Sequence, residues 1–224
     1  MSNPPDSYLD ILHIDNHLIA VHKPAGILTQ ADSSGEISLM DQVKDWIKTE
    51  YKKPGKVFLG LVHRLDRPVS GIVVFARTSK GASRLSEQFR EKTTKKVYRV
   101  CVEGIPQTRK ANLTHYLRKE KTLKVTAFPR PAPNAKKAEL NYEIIETAAD
   151  KSILDIHLYT GRFHQIRAQL AFIGHPVFGD KKYGARSRLP DGQIALHARY
   201  MVFNHPTREE KVTIESPLPK GWPG

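Results

Sequence analysis

With 224 residues and 39% hydrophobic side chains, the chain can bury a core for one large domain or two small lobes without a disulfide or metal staple. Its single cysteine, Cys101, excludes an internal disulfide framework, and the opening MSNPPDSYLD lacks the apolar run of a signal peptide and the arginine-rich look of a transit sequence. The net charge of +13 is confined to residues 76–137, which carry 17 Lys and Arg against 4 Asp and Glu, while the remainder carries 19 of each sign. Such a cluster is either a solubilising face or a polyanion-binding surface, since clustered cations release counterions condensed on phosphates. No basic amphipathic helix with a broad aromatic face supports a membrane role. The expected location is the cytoplasm.

In chain order, residues 8–13 and 18–21 read as two short strands around an Asp-Asn turn, ending in Lys23-Pro24-Ala25-Gly26. A helix is expected from Ser38, with Asp41 completing a capping box and Leu39, Val43, Trp46 and Ile47 as its buried stripe. Residues 57–62 and 72–75 are apolar runs of strand length. Ser79 is placed to cap a second helix that ends near Glu91, with Ala82, Leu85 and Phe89 on one face. Residues 97–102 read as a strand with Tyr98, Val100 and Val102 on one face and Val97, Arg99 and core-filling Cys101 on the other. Further strands are expected at 111–117, 124–128, 138–147 and 152–159. A helix follows from about His164 to Ile173, stopped by Gly174 and Pro176, then a loop over 179–192 and a strand over 193–204. Many strands with about three helices in no regular alternation predict an α+β fold around a mixed, largely antiparallel central sheet.

The stretch H-R-L-D-R-P-V-S-G at 63–71 sets one carboxylate, Asp66, between Arg64 and Arg67. Flanking cations favour the charged form, so this acid is expected to stay ionised well below neutral pH, as suits a nucleophile or an electrostatic stabiliser. Ten histidines invite a metal reading, and His164, His175 and Asp180 are the candidates that space would have to unite. No H-E-x-x-H or C-x-x-C supports it, and no metal site is expected. Ser70 lacks the G-x-S-x-G elbow and no Walker loop is present, which leaves hydrolase readings weak. Each candidate also has an ordinary reading: Asp66 as a structural ion-pair acid, Tyr98 as a core residue, Arg167 as a snorkelling helix side chain.

H-R-L-D-R-P-V-S-G at 63–71, K-K-V-Y-R-V at 95–100, T-G-R-F-H-Q-I-R at 160–167 and G-H-P-V-F-G-D at 174–180 closely resemble motifs of the RluA-type family of RNA pseudouridine synthases. H-K-P-A-G at 22–26 and L-H-A-R at 196–199 resemble its flanking motifs, and the likeness runs in order from about residue 9 to 218. The resemblance implies the pseudouridine synthase fold with a central active-site cleft. It implies a single catalytic domain over residues 1–224 without an N-terminal S4 RNA-binding domain. It further implies a cofactor-free isomerase that detaches uracil from its ribose and rejoins it through carbon 5.

By that likeness Asp66 is the catalytic carboxylate, Tyr98 lies against the target base, and Arg167 pairs with Asp66. Arg64 matches the arginine that helps to flip the uridine, and His63, Arg162, His164, Gln165, Lys95, Lys96 and Arg99 complete the expected RNA-binding and base-flipping set. The expected partner is a ribosomal or transfer RNA stem-loop, handled by a monomer with no membrane and no obligate protein partner. Val69 stands where the family usually has Thr, and Phe163 replaces the commoner Thr or Ser, adding an aromatic near the site. The alternatives are a catalytically silent RNA-binding or RNA-folding factor on the same fold and a metal-dependent hydrolase.

Overall fold

The computed structural model describes residues 9–223. Strands β1 (Ile11–Ile14) and β2 (Leu18–Lys23) form a hairpin around Asp15, whose carboxylate accepts from the N–H groups of His17 at 2.7 Å and Leu18 at 3.0 Å. This is the expected Asp-Asn turn; the expected strand start at Tyr8 lies outside the described residues. Helix α1 (Leu39–Glu50) begins at the capping box, where the Asp41 N–H donates to the Ser38 hydroxyl and the Ser38 N–H donates to the Asp41 carboxylate. Leu39, Val43 and Ile47 are buried, and Trp46 is half-buried beside them.

Strand β3 (Gly60–Leu61) is far shorter than the run expected over 57–62. Its ladder with β4 (Ser70–Ala76) stops after Gly60 and Leu61 because the His63 ring, rather than backbone, accepts the Val74 N–H at 2.9 Å. Helix α2 (Ser79–Glu91) is capped by Thr78, not by Ser79. The Thr78 backbone is extended and its hydroxyl accepts from the Gly81 N–H at 3.1 Å, whereas Ser79 is already helical. There follow β5 (Lys95–Glu103), β6 (Lys110–Lys119), β7 (Val125–Phe128), β8 (Lys136–Thr147) and β9 (Lys151–Leu158). Helix α3 (Gln165–Phe172), β10 (Leu196–Asn204) and β11 (Lys211–Glu215) complete the chain, with two short 3-10 turns inside the expected loop at Lys181–Tyr183 and Pro190–Gly192. β11 was absent from the expected strands, although Val212 and Ile214 alternate inward with the period of a half-buried strand.

Among the described residues these strands form one sheet in the order β1-β2-β4-β10-β5-β9-β8-β6-β7, with β3 paired to β4 and β11 to β10. Every pairing is antiparallel except β4 with β10, so the sheet is mixed and largely antiparallel, as expected. Ile19, Val21, Val73, Phe75, Tyr98 and Val100 face α1 and α3 on one side. Leu18, Ala20, Ile72 and Val74 pack with Leu85 of α2 on the other. With both faces covered, β2 and β4 read as continuous apolar runs, each fully buried aliphatic contributing about 1.5–3 kcal/mol.

The parallel contact pairs Ala198 with Gly71, and Ala198 in turn pairs with Tyr98. Gly71 has φ +116°, and a Cβ there would lie 2.3 Å from the Ala198 carbonyl oxygen, so only glycine lets the two backbones meet. Through β10, that contact sets the loop before β4 one strand away from β5. Among the described residues no helix is long and apolar enough to cross a membrane.

Candidate active site

The loop between β3 and β4 carries Asp66 and is braced by the segment after β2. The Lys23 side chain is fully buried, and its ammonium donates to the carbonyls of Pro24 at 3.0 Å, Ile27 at 2.8 Å and Arg67 at 3.1 Å. Burial pulls its pKa down to about 7, against the favourable charge of Asp66. The Gly26 N–H also donates to the Arg67 carbonyl at 2.8 Å, and Thr29 clasps Leu65 by donating to its carbonyl at 2.8 Å and accepting its N–H at 3.2 Å. A Val69 N–H bond to the Asp66 carbonyl closes the turn. The residues on either side of Asp66 are thus tied to a rigid strand end, and H-K-P-A-G is the sequence signal for the brace.

Asp66 Oδ2 accepts from Arg167 Nη1 at 3.2 Å. Arg167 is in turn gripped by Asp180, Nε to Oδ2 at 2.6 Å and Nη2 to Oδ1 at 2.9 Å, with the Asp180 side chain only 1% exposed. One guanidinium therefore serves a buried structural carboxylate with two donors and presents a third to Asp66. Burial is the largest influence on the Asp66 carboxyl and pushes it above the ordinary carboxylate range, against the opposing pull of Arg167 and Arg64. This corrects the expectation that flanking cations hold it low. Arg67 takes no part, because it turns outward into a two-pronged pair with Glu36, both bonds 2.8 Å.

Tyr98 lies on the same cleft wall, buried, with burial first and Asp66 second raising its phenol. His164 caps α3 in the left-handed region, φ 50°, a strained conformation for this residue type. Tyr183 accepts the Val125 N–H at 2.9 Å, and its hydroxyl is also hydrogen-bonded to His164 Nδ1 at 2.9 Å. Burial, with Arg167, Lys182 and Lys119 nearby, lowers the imidazole to about 3. His164 Nε2 sits 3.5 Å from Asp66 Oδ2, a geometry that favours the tautomer protonated on Nε2. At that length the contact is electrostatic rather than a full hydrogen bond. Phe163 stacks on the His164 ring with centroids 3.9 Å apart and 19° between planes.

The other expected residues divide. Arg64 lines the cleft with Asp66 and Tyr98, and Arg162 lines its mouth while its Nε donates to the Lys137 carbonyl at 3.1 Å. Lys96 shares the Tyr98 face of β5 and lies over Phe89. Gln165 is consumed internally: its amide oxygen accepts from the Thr160 hydroxyl and Arg162 N–H, and its nitrogen donates to the Glu139 carbonyl. His63 is spent on the Val74 N–H and stacks on Phe89, with burial and then Lys96 lowering it to about 3. Strand alternation turns Lys95 and Arg99 to the opposite face from Tyr98; Lys95 lies over Tyr200, and Asp155 holds Arg99 at 2.6 and 3.1 Å. Gln165 still lines the Asp66 cleft and His63 the adjoining groove with Arg64 and Lys96, whereas Lys95 and Arg99 lie on the face of β5 away from Tyr98. Val69 is buried in the cleft wall, and among the described residues no cluster of His, Cys, Asp and Glu is placed to hold a metal ion.

The cleft is about 490 Å³ and has an apolar floor of Leu65, Val69, Leu158 and Leu196 beneath one carboxylate and its arginine. Such a pocket can shelter an anion from water beside a flat, uncharged ring. Residues 17–172 match the RNA pseudouridylate synthase family. The chain is 33% identical to an uncharacterised RNA pseudouridine synthase of Bacillus subtilis, over 96% of this chain and 70% of that protein. It is 32% identical to the dual-specificity RNA pseudouridine synthase RluA of Escherichia coli O157:H7, over 96% of each, and 32% identical to ribosomal large subunit pseudouridine synthase C of Vibrio cholerae, over 93% of this chain and 65% of that protein. Its fold is similar to that of human RNA pseudouridylate synthase domain containing 4, with TM-score 0.79 and 23% identity over 95% of this chain and 90% of that one. The chain therefore belongs to the RluA-type family of RNA pseudouridine synthases.

Proposed function

We propose that the chain isomerises uridine to pseudouridine at a defined position in structured ribosomal or transfer RNA, using Asp66 as the essential anion, Tyr98 against the target base and Arg167 to hold Asp66. Relatives named for ribosomal and for transfer RNA support both substrate classes. In this reaction the N1–C1′ bond breaks, a C5–C1′ bond forms, the C5 hydrogen leaves and N1 gains a proton, so no co-reactant is consumed. Bond cleavage builds positive character on the sugar, which a fixed carboxylate stabilises. A uridine in a stem or stacked loop must first be everted, at a cost of roughly a few kcal/mol, offset by phosphate contacts and by Arg64 filling the vacated space.

The observation that carries the proposal is the sharing of one cleft by Asp66, Arg167 and Tyr98, with the side chain of Asp66 still 24% exposed. Total ribosomal and transfer RNA incubated with wild type should gain pseudouridine on nucleoside analysis. Asp66→Asn should bind the same RNA and form no product. Equal product from the variant would overturn the assignment, and binding without product by wild type would favour the silent RNA-binding alternative.

A further inference from the structure

A second groove, about 1120 Å³, opens beside the cleft between the β6–β7 hairpin and the start of α3, and shares Gly161 and Arg162 with it. Its walls carry Lys119, Lys121, Lys136 and Arg162, while the one acid among its lining residues, Glu120, is paired with Arg118 at 2.9 Å. Four cations therefore face the groove without an acid that neutralises them, which suits a phosphate backbone. Phe163 lies on its wall.

The geometry of Phe163 is specific. His164 stacks on the ring at 3.9 Å, the Lys119 ammonium lies over it 4.8 Å from the centroid, and its edge packs against the cluster around Leu117 and Val125, with the ring only half-buried. Lys119 is exposed and free to swing away. A nucleobase stacks on an aromatic face more strongly than an exposed ammonium does, so a base arriving in the groove displaces Lys119 from the ring and leaves the ammonium beside its phosphate. A base locked in a duplex has no open face to offer.

We propose that this groove holds an unpaired nucleotide adjoining the target uridine, with its base stacked on Phe163 and its phosphates against Lys119, Lys121, Lys136 and Arg162. The assignment rests on the uridine isomerisation proposed above. It restricts the substrate to uridines in loops whose neighbour on one side is unpaired, and it makes Phe163 a specificity residue.

The test uses stem-loop RNAs with the target uridine in the loop and an abasic nucleotide placed on its 5′ or 3′ side in turn, measured with wild type, F163A and F163W. With wild type, one of the two abasic RNAs should show KM raised about tenfold. F163A should raise KM about tenfold on intact RNA and be indifferent to the same abasic change, and F163W should restore the sensitivity. Independent, additive losses from F163A and the abasic nucleotide, or no abasic effect with wild type, would overturn the groove assignment. Should F163A fail to fold, the wild-type abasic comparison still decides. Failure of wild type to make pseudouridine in any RNA would instead overturn the underlying activity.

Discussion

Asp66 is held in a place where its charge is costly, and that cost can be measured. Burial lifts its folded-state pKa above the unfolded value, so the penalty is absent below the ordinary carboxylate range and complete once pH passes the raised value. Asp66→Asn carries no charge and leaves Arg167 its grip on Asp180. It should melt above wild type at pH 7.5, by roughly 2–4 °C for each ~1 kcal/mol relieved, with the gap narrowing toward pH 4.5. A gap that stays constant, or a less stable variant at pH 7.5, would contradict the burial argument. At His164, ring nitrogen-15 spectra should show a neutral imidazole with its proton on Nε2 at about pH 5, and Tyr183→Phe should let the second tautomer appear. A ring already protonated in wild type at that pH would contradict the burial that lowers its pKa. Of these groups the sequence disclosed Asp66 by its flanking arginines, and Tyr98 and Arg167 only through resemblance, since Asp66 and Arg167 lie 101 residues apart. Asp180 is legible as the last letter of G-H-P-V-F-G-D and as a metal-ligand candidate, but nothing local shows that its carboxylate will meet an arginine from another element.

At the scale of elements, Gly71 is where the loop bearing Asp66 meets the sheet. Gly71→Ala would drive a Cβ into the Ala198 backbone at 2.3 Å in a φ region hostile to alanine, so the parallel β4–β10 contact must open. A loss of at least ~3 kcal/mol in urea unfolding is expected, with activity falling alongside; a variant as stable as wild type would refute the close approach. Helix starts were legible because capping chemistry is local, and even the displaced cap at Thr78 moved by one residue. β3 was overread because apolar content at 57–62 says nothing of the His63 ring taking a backbone donor. Lys23 was visible as a motif letter, but its burial beneath three carbonyls depends on the fold of residues 24–67.

Across the whole molecule, the charge count locates the basic stretch at 76–137 but does not say which way each cation points. Alternation along β5 divides Lys96 from Lys95 and Arg99, and Asp155 neutralises Arg99. RNA affinity should fall with salt by a log–log slope of roughly −0.7 per phosphate contact on a single strand. Neutralising Lys119, Lys121 and Lys136 together should flatten that slope by about 2 units, whereas Arg99→Gln should leave it unchanged; the reverse pattern would mean that RNA lies on the opposite face. The central claim, that the Asp66 carboxylate beside Arg167 drives exchange of the N1 linkage for one at C5, is tested most directly by hydrogen release from RNA made with uridine tritiated at C5. Purified wild type should release tritium to solvent in proportion to pseudouridine formed, and Asp66→Asn none. Release by Asp66→Asn at the wild-type rate would contradict the account.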